Sequence, residues 1–275
     1  MNRSVPYEDL YIYLIEGQVS EGDEMGLGEA FLGNWVEDNS AFLFFSKPSK
    51  GVVDTLLERR EDLAFIDEYH LPYEQWQGGI LEPIRIGPLL IVPPWMEVEP
   101  APREIKIVLD PGVVFGTGLH PTTIDCIEAA IYLKGKQVLM KKVLDLGTGT
   151  GILALAAGFL GADDVTAVDL NPLAVKTAKR NVHLNHLEGI INVIEGQAQH
   201  FVHQPADLVI ANIHHAVINS LFEMNDFREK NRFIISGLMR SQIRDLKSQI
   251  KRHGLEVIRA WDYEMTWYTV LLAGS

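Results

Sequence analysis

Residues 143–151, VLDLGTGTG, constrain the chain more than any other stretch. Val143, Leu144 and Leu146 form a short apolar run broken by one acid, Asp145, the pattern of a strand buried on both faces of a parallel sheet. Gly147, Gly149 and Gly151 follow at alternating positions, and an apolar, helix-favouring run covers 152–157. A strand, a glycine-rich turn and a helix make the opening unit of a nucleotide-binding α/β fold. Glycine permits positive φ in such a turn and lets a ligand lie against bare backbone. The stretch predicts a flat, nucleoside-like ligand.

Two features decide between ligand classes. The dinucleotide fingerprint places its third glycine three residues after the second, and Ile152 stands there. Asp145 would repel a pyrophosphate near the turn, but not a ligand carrying an ammonium and a sulfonium. A second acid, Asp169, ends the next apolar run 22 residues beyond Gly147, a spacing that suits a carboxylate accepting from ribose hydroxyls. Together these residues favour S-adenosylmethionine over NAD, and over a glycine turn that holds nothing.

With 275 residues and 47% hydrophobic content, the chain has material for one large domain or two ordinary ones. No apolar run approaches the ~20 residues that span a bilayer. Glu8 and Asp9 precede any apolar stretch, so no secretory leader and a cytoplasmic location are expected. The single cysteine, Cys126, excludes an internal disulfide, and no His, Cys or acid spacing suggests a metal site. The net charge of −13 is uneven: residues 1–110 hold 8 Lys/Arg and 21 Asp/Glu, whereas the remainder is neutral. An acidic first part steers a basic partner and repels nucleic acid; equally, it is a solubilising surface.

Residues 1–92 read as a small α+β unit, with strands at 10–15, 80–86 and 89–92, further apolar segments at 30–36 and 41–45, and a helix over 52–62. Tyr73, Trp76 and Trp95 are read as packing aromatics ahead of exposed recognition residues. The proline-rich segment 93–104 reads as a linker, and 105–275 as the catalytic domain. A second glycine-rich loop, DPGVVFGTGLHPTT, follows a strand at 105–109 and feeds a helix. Two readings of it stand side by side: a cover for the cofactor's amino-acid end, with Phe115, Thr117 and the Thr123 hydroxyl as contacts, or an ordinary turn with Thr122 and Thr123 as helix caps. From Val143 onward strands and helices alternate and close on two strands at 257–260 and 266–272, which predicts a doubly wound, seven-stranded sheet with a terminal antiparallel hairpin.

The crevice of such a sheet opens at the C-terminal strand ends. Those ends carry Asp145 and Gly147, Asp169 and Leu170, Gln197, and Asn212. The Asn212 amide is placed to hold an incoming amine, or else ends its strand as a turn residue. His214 and His215 beside it are candidate bases, though paired histidines opening a helix are more often surface residues.

These segments resemble the PrmA family, bacterial enzymes that methylate ribosomal protein eleven of the large subunit. The likeness runs from about Trp76 to the C-terminus through PIRIGPLLIVPPW, LDPGVVFGTGLHPTT, VLDLGTGTGILALAA, VDLNPLAV, DLVIANI and IISGLMRSQ, with Trp267 beyond. The resemblance implies a class I S-adenosylmethionine-dependent methyltransferase domain preceded by a small ferredoxin-like domain that grips the protein substrate. It further implies that Thr123, Gly147, Asp169 and Asn212 contact the cofactor, and that lysine amino groups of a basic protein are methylated. Gln197 stands where the family often has an acid near the adenine amine, and His214-His215-Ala216 replaces the family's usual continuation. The rival readings are a methyltransferase of another protein or a small amine, and a cofactor-binding module without catalysis.

Overall fold

Strands β1 (Asp9–Glu16), β2 (Phe31–Glu37), β3 (Ser40–Phe45) and β4 (Ala64–Pro72) form an antiparallel sheet in the order β2-β3-β1-β4. Helix α1 (Glu21–Glu24) joins β1 to β2, and α2 (Lys50–Arg59) joins β3 to β4, which gives the expected ferredoxin-like order. The computed structural model describes residues 5–274; residues 1–4, the start of the segment read for a leader, lie outside them. Helix α1 is one turn inside the predicted acidic loop, closed by a capping box between Ser20 and Asp23. Strand β4 escapes a periodicity reading because it is an edge strand with nearly every residue exposed, so no apolar alternation marks it.

The expected division at 93–104 does not follow the sheets. Strand β5 (Ile84–Ile86) pairs with β6 (Leu89–Val92), and β6 runs parallel to β7 (Ile105–Val108) in a separate three-stranded sheet. A parallel pair requires a crossover, and the proline-rich segment supplies it. Ile86, Leu89, Ile91 and Ile107 share one core with Cys126 and Ile127 of α4 (Pro121–Gly135) and Ile152 and Leu155 of α5 (Ile152–Phe159). Residues 84–92 therefore pack with the C-terminal part.

The large sheet comprises β8 (Lys142–Leu146), β9 (Asp164–Asp169), β10 (Ile191–Glu195), β11 (Leu208–Asn212), β12 (Arg232–Met239), β13 (Glu256–Tyr263) and β14 (Trp267–Ala273). Its order is β10-β9-β8-β11-β12-β14-β13, parallel except where β14 runs antiparallel to β12 and β13. This is the predicted doubly wound sheet with its terminal hairpin. One face packs on α4, α5 and α6 (Pro172–Leu184). The other packs on α7 (His215–Phe222), α8 (Asn225–Arg228) and α9 (Arg240–Arg252), where Leu246 and Ile250 sit one turn apart on the buried stripe.

A further core joins the two parts: Leu10, Ile12 and Phe44 meet Tyr73, Trp95, Val114 and Leu173. Tyr73 and Trp95 are buried there, as read, while Trp76, on α3 (Tyr73–Gln77), stays partly exposed. Gly33 is needed at the contact, since a Cβ would lie 2.4 Å from Cδ1 of Leu173. Asn171 ties the seam twice: its Oδ1 accepts from Leu173 N at 3.0 Å and caps α6, and its Nδ2 donates to Val36 O at 3.0 Å. Asn171→Ala is expected to lower unfolding stability by about 1–3 kcal/mol, from the lost cap and the unpaired carbonyl. Urea denaturation checks this; an unchanged midpoint would contradict the role given to this residue.

Candidate cofactor and acceptor site

The glycine turn after β8 is held from every side by hydrogen bonds. Gly147 N and Thr148 N donate to Val168 O at 2.8 and 2.9 Å, and Gly149 N donates to Oδ2 of Asp169 at 2.9 Å. Thr150 N donates to Phe115 O at 3.1 Å, and its hydroxyl to Gly116 O at 2.6 Å, which stitches the second glycine-rich loop onto the first. The first two glycines are dictated by these close approaches. A Cβ on Gly147 (φ +75°) would stand 2.0 Å from Ile213 Cγ2, and one on Gly149 (φ +56°) 2.6 Å from Phe115 O.

A cavity of about 370 Å³ opens over this turn at the C-terminal ends of β8, β9 and β10. Of the residues read from sequence, Phe115, Gly147, Gly149, Asp169, Leu170 and Gln197 line it. Asp145, Thr123, Asn212 and Gly151 do not. Asp145 lies beneath the turn, Gly151 faces Ala178 of α6, and Thr117 lines a neighbouring cavity. Close approach at Gly151 thus serves helix packing rather than a ligand. Sequence reasoning missed Trp35 of β2, which lines both cavities; only the docking of the N-terminal sheet brings it there.

The two acids occupy different settings. Both oxygens of Asp169 accept from backbone, Oδ2 from Gly149 N and Oδ1 from Asn171 N, each at 2.9 Å. Burial nevertheless raises its pKa above the ordinary carboxylate value. Asp145 is fully buried; Oδ2 accepts from the Thr148 hydroxyl at 2.6 Å, and Oδ1 has no partner. Burial pushes its carboxyl up to about 7; the Thr148 bond opposes this, the Asp169 charge adds to it, and the backbone N–H of Ala154 opposes it weakly. Thr123 is also buried with an unpartnered hydroxyl. Asp145 Oδ1 and the Thr123 hydroxyl are thus both buried without a partner although neither lines the cavity, and a carboxyl behind the turn favours a ligand that carries positive charge over it.

Thr122 and Thr123 do not cap α4. His120 does, its Nδ1 accepting from Thr122 N at 3.4 Å, with Pro121 in the first turn. The Thr122 hydroxyl sits 2.7 Å from His120 Nδ1 and accepts from Nδ2 of Asn212 at 3.3 Å. With Nδ2 committed, the Asn212 carbonyl oxygen is the free end of its amide. Gly237, at the irregularity in β12, leaves room for it: a Cβ there would come within 3.1 Å of Oδ1. His214 caps α7 and lines the cavity, and His215 lies 3.8 Å from an Asp245 carboxylate oxygen. Among the described residues neither histidine is hydrogen-bonded to Asn212.

Residues 71–273 match the family described as ribosomal protein L11 methyltransferase (PrmA). The chain belongs to that family. It is 42% identical over 180 residues to the ribosomal protein L11 methyltransferase of Desulfitobacterium hafniense, covering 64% of this chain and 56% of that protein. With the protein of the same name from Geobacillus kaustophilus it shares 35% identity over 242 residues, 83% of this chain and 72% of the relative. The chain thus spans little more than half of the first relative's length. Among solved structures, the ribosomal protein L11 methylase of Lactobacillus delbrueckii subsp. bulgaricus superposes with a TM-score of 0.61 at 27% identity, over 70% of this chain and 98% of that one. Fold and family were both expected from the motifs; the matched region leaves most of the N-terminal sheet outside it.

Asp145 generates a stability prediction with a definite sign. Its folded-state pKa of about 7 exceeds the ordinary 3.8, so the folded chain keeps a proton that the unfolded chain releases. Stability from this group is present below the unfolded value and lost as pH rises through about 7, by up to ~4 kcal/mol. Asp145→Asn removes the titration and keeps an acceptor for Thr148. The variant is expected to gain melting temperature over the wild type as pH goes from 5 to 8. A constant difference across that range would contradict the buried ionisation.

Proposed function

We propose that the chain is an S-adenosylmethionine-dependent methyltransferase that N-methylates lysine amino groups of ribosomal protein L11. The observation that carries this reading is the cavity edged by a backbone-held Asp169, with the unsatisfied Asp145 oxygen behind the same glycine turn. When bound, the cofactor supplies an activated methyl group. Asp169 would accept from its ribose hydroxyls, Leu170 and Gln197 would border its base, and the Thr123 hydroxyl would meet its carboxylate. Asp145 would act as charge through the turn rather than by contact.

Asn212 orients the amine with its free carbonyl oxygen, and no strong general base is required. A lysine of pKa about 10.4 is protonated at neutral pH. Desolvation beside the cavity lowers that value and exposes the lone pair, and positioning then accounts for much of the acceleration. The acidic charge of residues 1–110 supports a basic protein partner over nucleic acid. Ribosomal proteins place the work in the cytoplasm; among the described residues no helix is long and apolar enough to cross a membrane.

A second reading has one observation in its favour. Most of the N-terminal sheet, which would choose the substrate, lies outside the matched residues, so another basic protein could be the acceptor. Labelling a lysate of a strain that lacks the enzyme with radioactive methyl donor, then identifying the labelled band by mass spectrometry, decides between them. A band that is L11 supports the first reading, another protein the second, and no label contradicts both. Asp169→Ala is expected to weaken S-adenosylhomocysteine binding by about 100-fold or more, from loss of a charged hydrogen-bonding partner. Unchanged calorimetric affinity would remove Asp169 from the site.

A further inference from the structure

The irregularity in β12 carries buried hydroxyls directly behind Asn212. Ser236 pairs with Asn212 across the parallel strands β11 and β12, Thr269 stands on β14 beyond it, and both are fully buried. The Ser236 hydroxyl is 2.5 Å from the Thr269 hydroxyl and 3.4 Å from the Thr122 carbonyl of α4. Thr269 Oγ1 is in turn 3.2 Å from Oδ2 of Asp125, on the same helix as Thr122. We propose that Asp125, Thr269 and Ser236 are positioning residues, a hydroxyl relay that braces the first turn of α4 when Asp125 carries a proton. That turn holds the Thr122 hydroxyl, which accepts from Nδ2 of Asn212. The proposal rests on the reading that Asn212 orients the amine, and it adds what fixes Asn212.

The hydroxyl protons do not suffice for every contact at once. Three contacts run in series from the Thr122 carbonyl to the Asp125 carboxyl, and the two hydroxyls between them supply two protons. All three are hydrogen bonds only when the carboxyl supplies the third. Asp125 then donates to Thr269, Thr269 to Ser236, and Ser236 to the Thr122 carbonyl. When the carboxyl proton leaves to solvent, both hydroxyls rotate. Thr269 now donates to the carboxylate and Ser236 to Thr269, and the brace on Thr122 is lost. The Asp125 O–H is the one covalent bond that breaks.

The surroundings of Asp125 allow both states. It is half-buried, and the charged groups acting on it are acids: Glu128 on its own helix and Asp262 on β13. From β12 and β14 come the Ser236 and Thr269 hydroxyls. Burial pushes its carboxyl up to about 6; the Thr269 bond opposes this, and the two acids add to it.

Cys126, the only cysteine, reports on the relay, since the Ser236 hydroxyl acts on its buried thiol. Its S–H stretching band falls in a window free of other protein bands. With Asp125 ionised, Ser236 no longer accepts from Thr269 and is open to the thiol proton, so the band is expected to move to lower wavenumber as pH rises from 5 to 8. Asp125→Asn is expected to remove that shift and Asp145→Asn to leave it. Thr269→Val, which keeps the carboxylate and cuts the relay, is expected to remove it too; Ser236→Ala cuts the relay elsewhere should that variant fold poorly. An immobile wild-type band, or a shift that survives the cut, would overturn the relay. Methyl transfer to L11 tests what the relay does. The ratio of kcat for Asp125→Asn to kcat for the wild type cancels the titrations of Asp145 and of the acceptor amine. It is expected to rise about threefold from pH 5.5 to 8, with S-adenosylhomocysteine affinity unmoved. Thr269→Val is expected to lower kcat about fivefold at pH 6, and Thr269→Ser to restore it. A ratio flat with pH, or no rescue by serine, would overturn the positioning role. A band that shifts as expected in a protein that transfers no methyl group would instead remove the methyltransferase reading and leave the relay standing.

Discussion

Two carboxylates pin one glycine turn, and the remainder of the site is arranged about that arrangement. Asp145 accepts the Thr148 hydroxyl from below, and Asp169 accepts Gly149 N from the side. Each acid is thereby partly satisfied by the turn it shapes. Burial and the Asp169 charge raise the Asp145 carboxyl to about 7, so its ionisation in the folded chain is costly unless a cation lies nearby. A site that is costly when empty and favourable when charged is characteristic of function held against stability.

The second organising contact is the docking of the N-terminal sheet onto α6. Asn171 closes the gap between Val36 and the helix start, immediately after the cavity-lining Asp169 and Leu170. The same few residues therefore cap a helix, border the cavity over the glycine turn and hold the sheet whose Trp35 lines both that cavity and its neighbour.

Sequence pattern revealed the large sheet well because its buried parallel strands and periodic helices each carry local signals, as in the apolar run Val143–Leu146 and the alternation of strands and helices that follows it. It was weak where structure depends on distant partners. The edge strand β4 has no apolar alternation to read, and the crossover at 93–104 resembles a linker because prolines disfavour sheet in either case. At the site, the strand-end rule located Asp169, Leu170, Gln197 and the two lining glycines. It did not distinguish lining from support: Asp145 lies beneath the turn, Gly151 packs on Ala178, and the cap of α4 is His120, not a threonine. Trp35 carried no signal at all, since its place depends on one sheet docking against another.

The central claim is that a cationic ligand is held over the glycine turn, with a backbone-held acid at its edge and a buried acid behind the turn. Its most direct test is the number of protons released when S-adenosylhomocysteine binds at pH 6.5, from calorimetry in buffers of different ionisation enthalpy. With Asp145 near 7 in the free protein, a bound ammonium should drive off a substantial fraction of one proton, and Asp145→Asn should abolish the release. Binding with no proton release, or with uptake, would contradict the account.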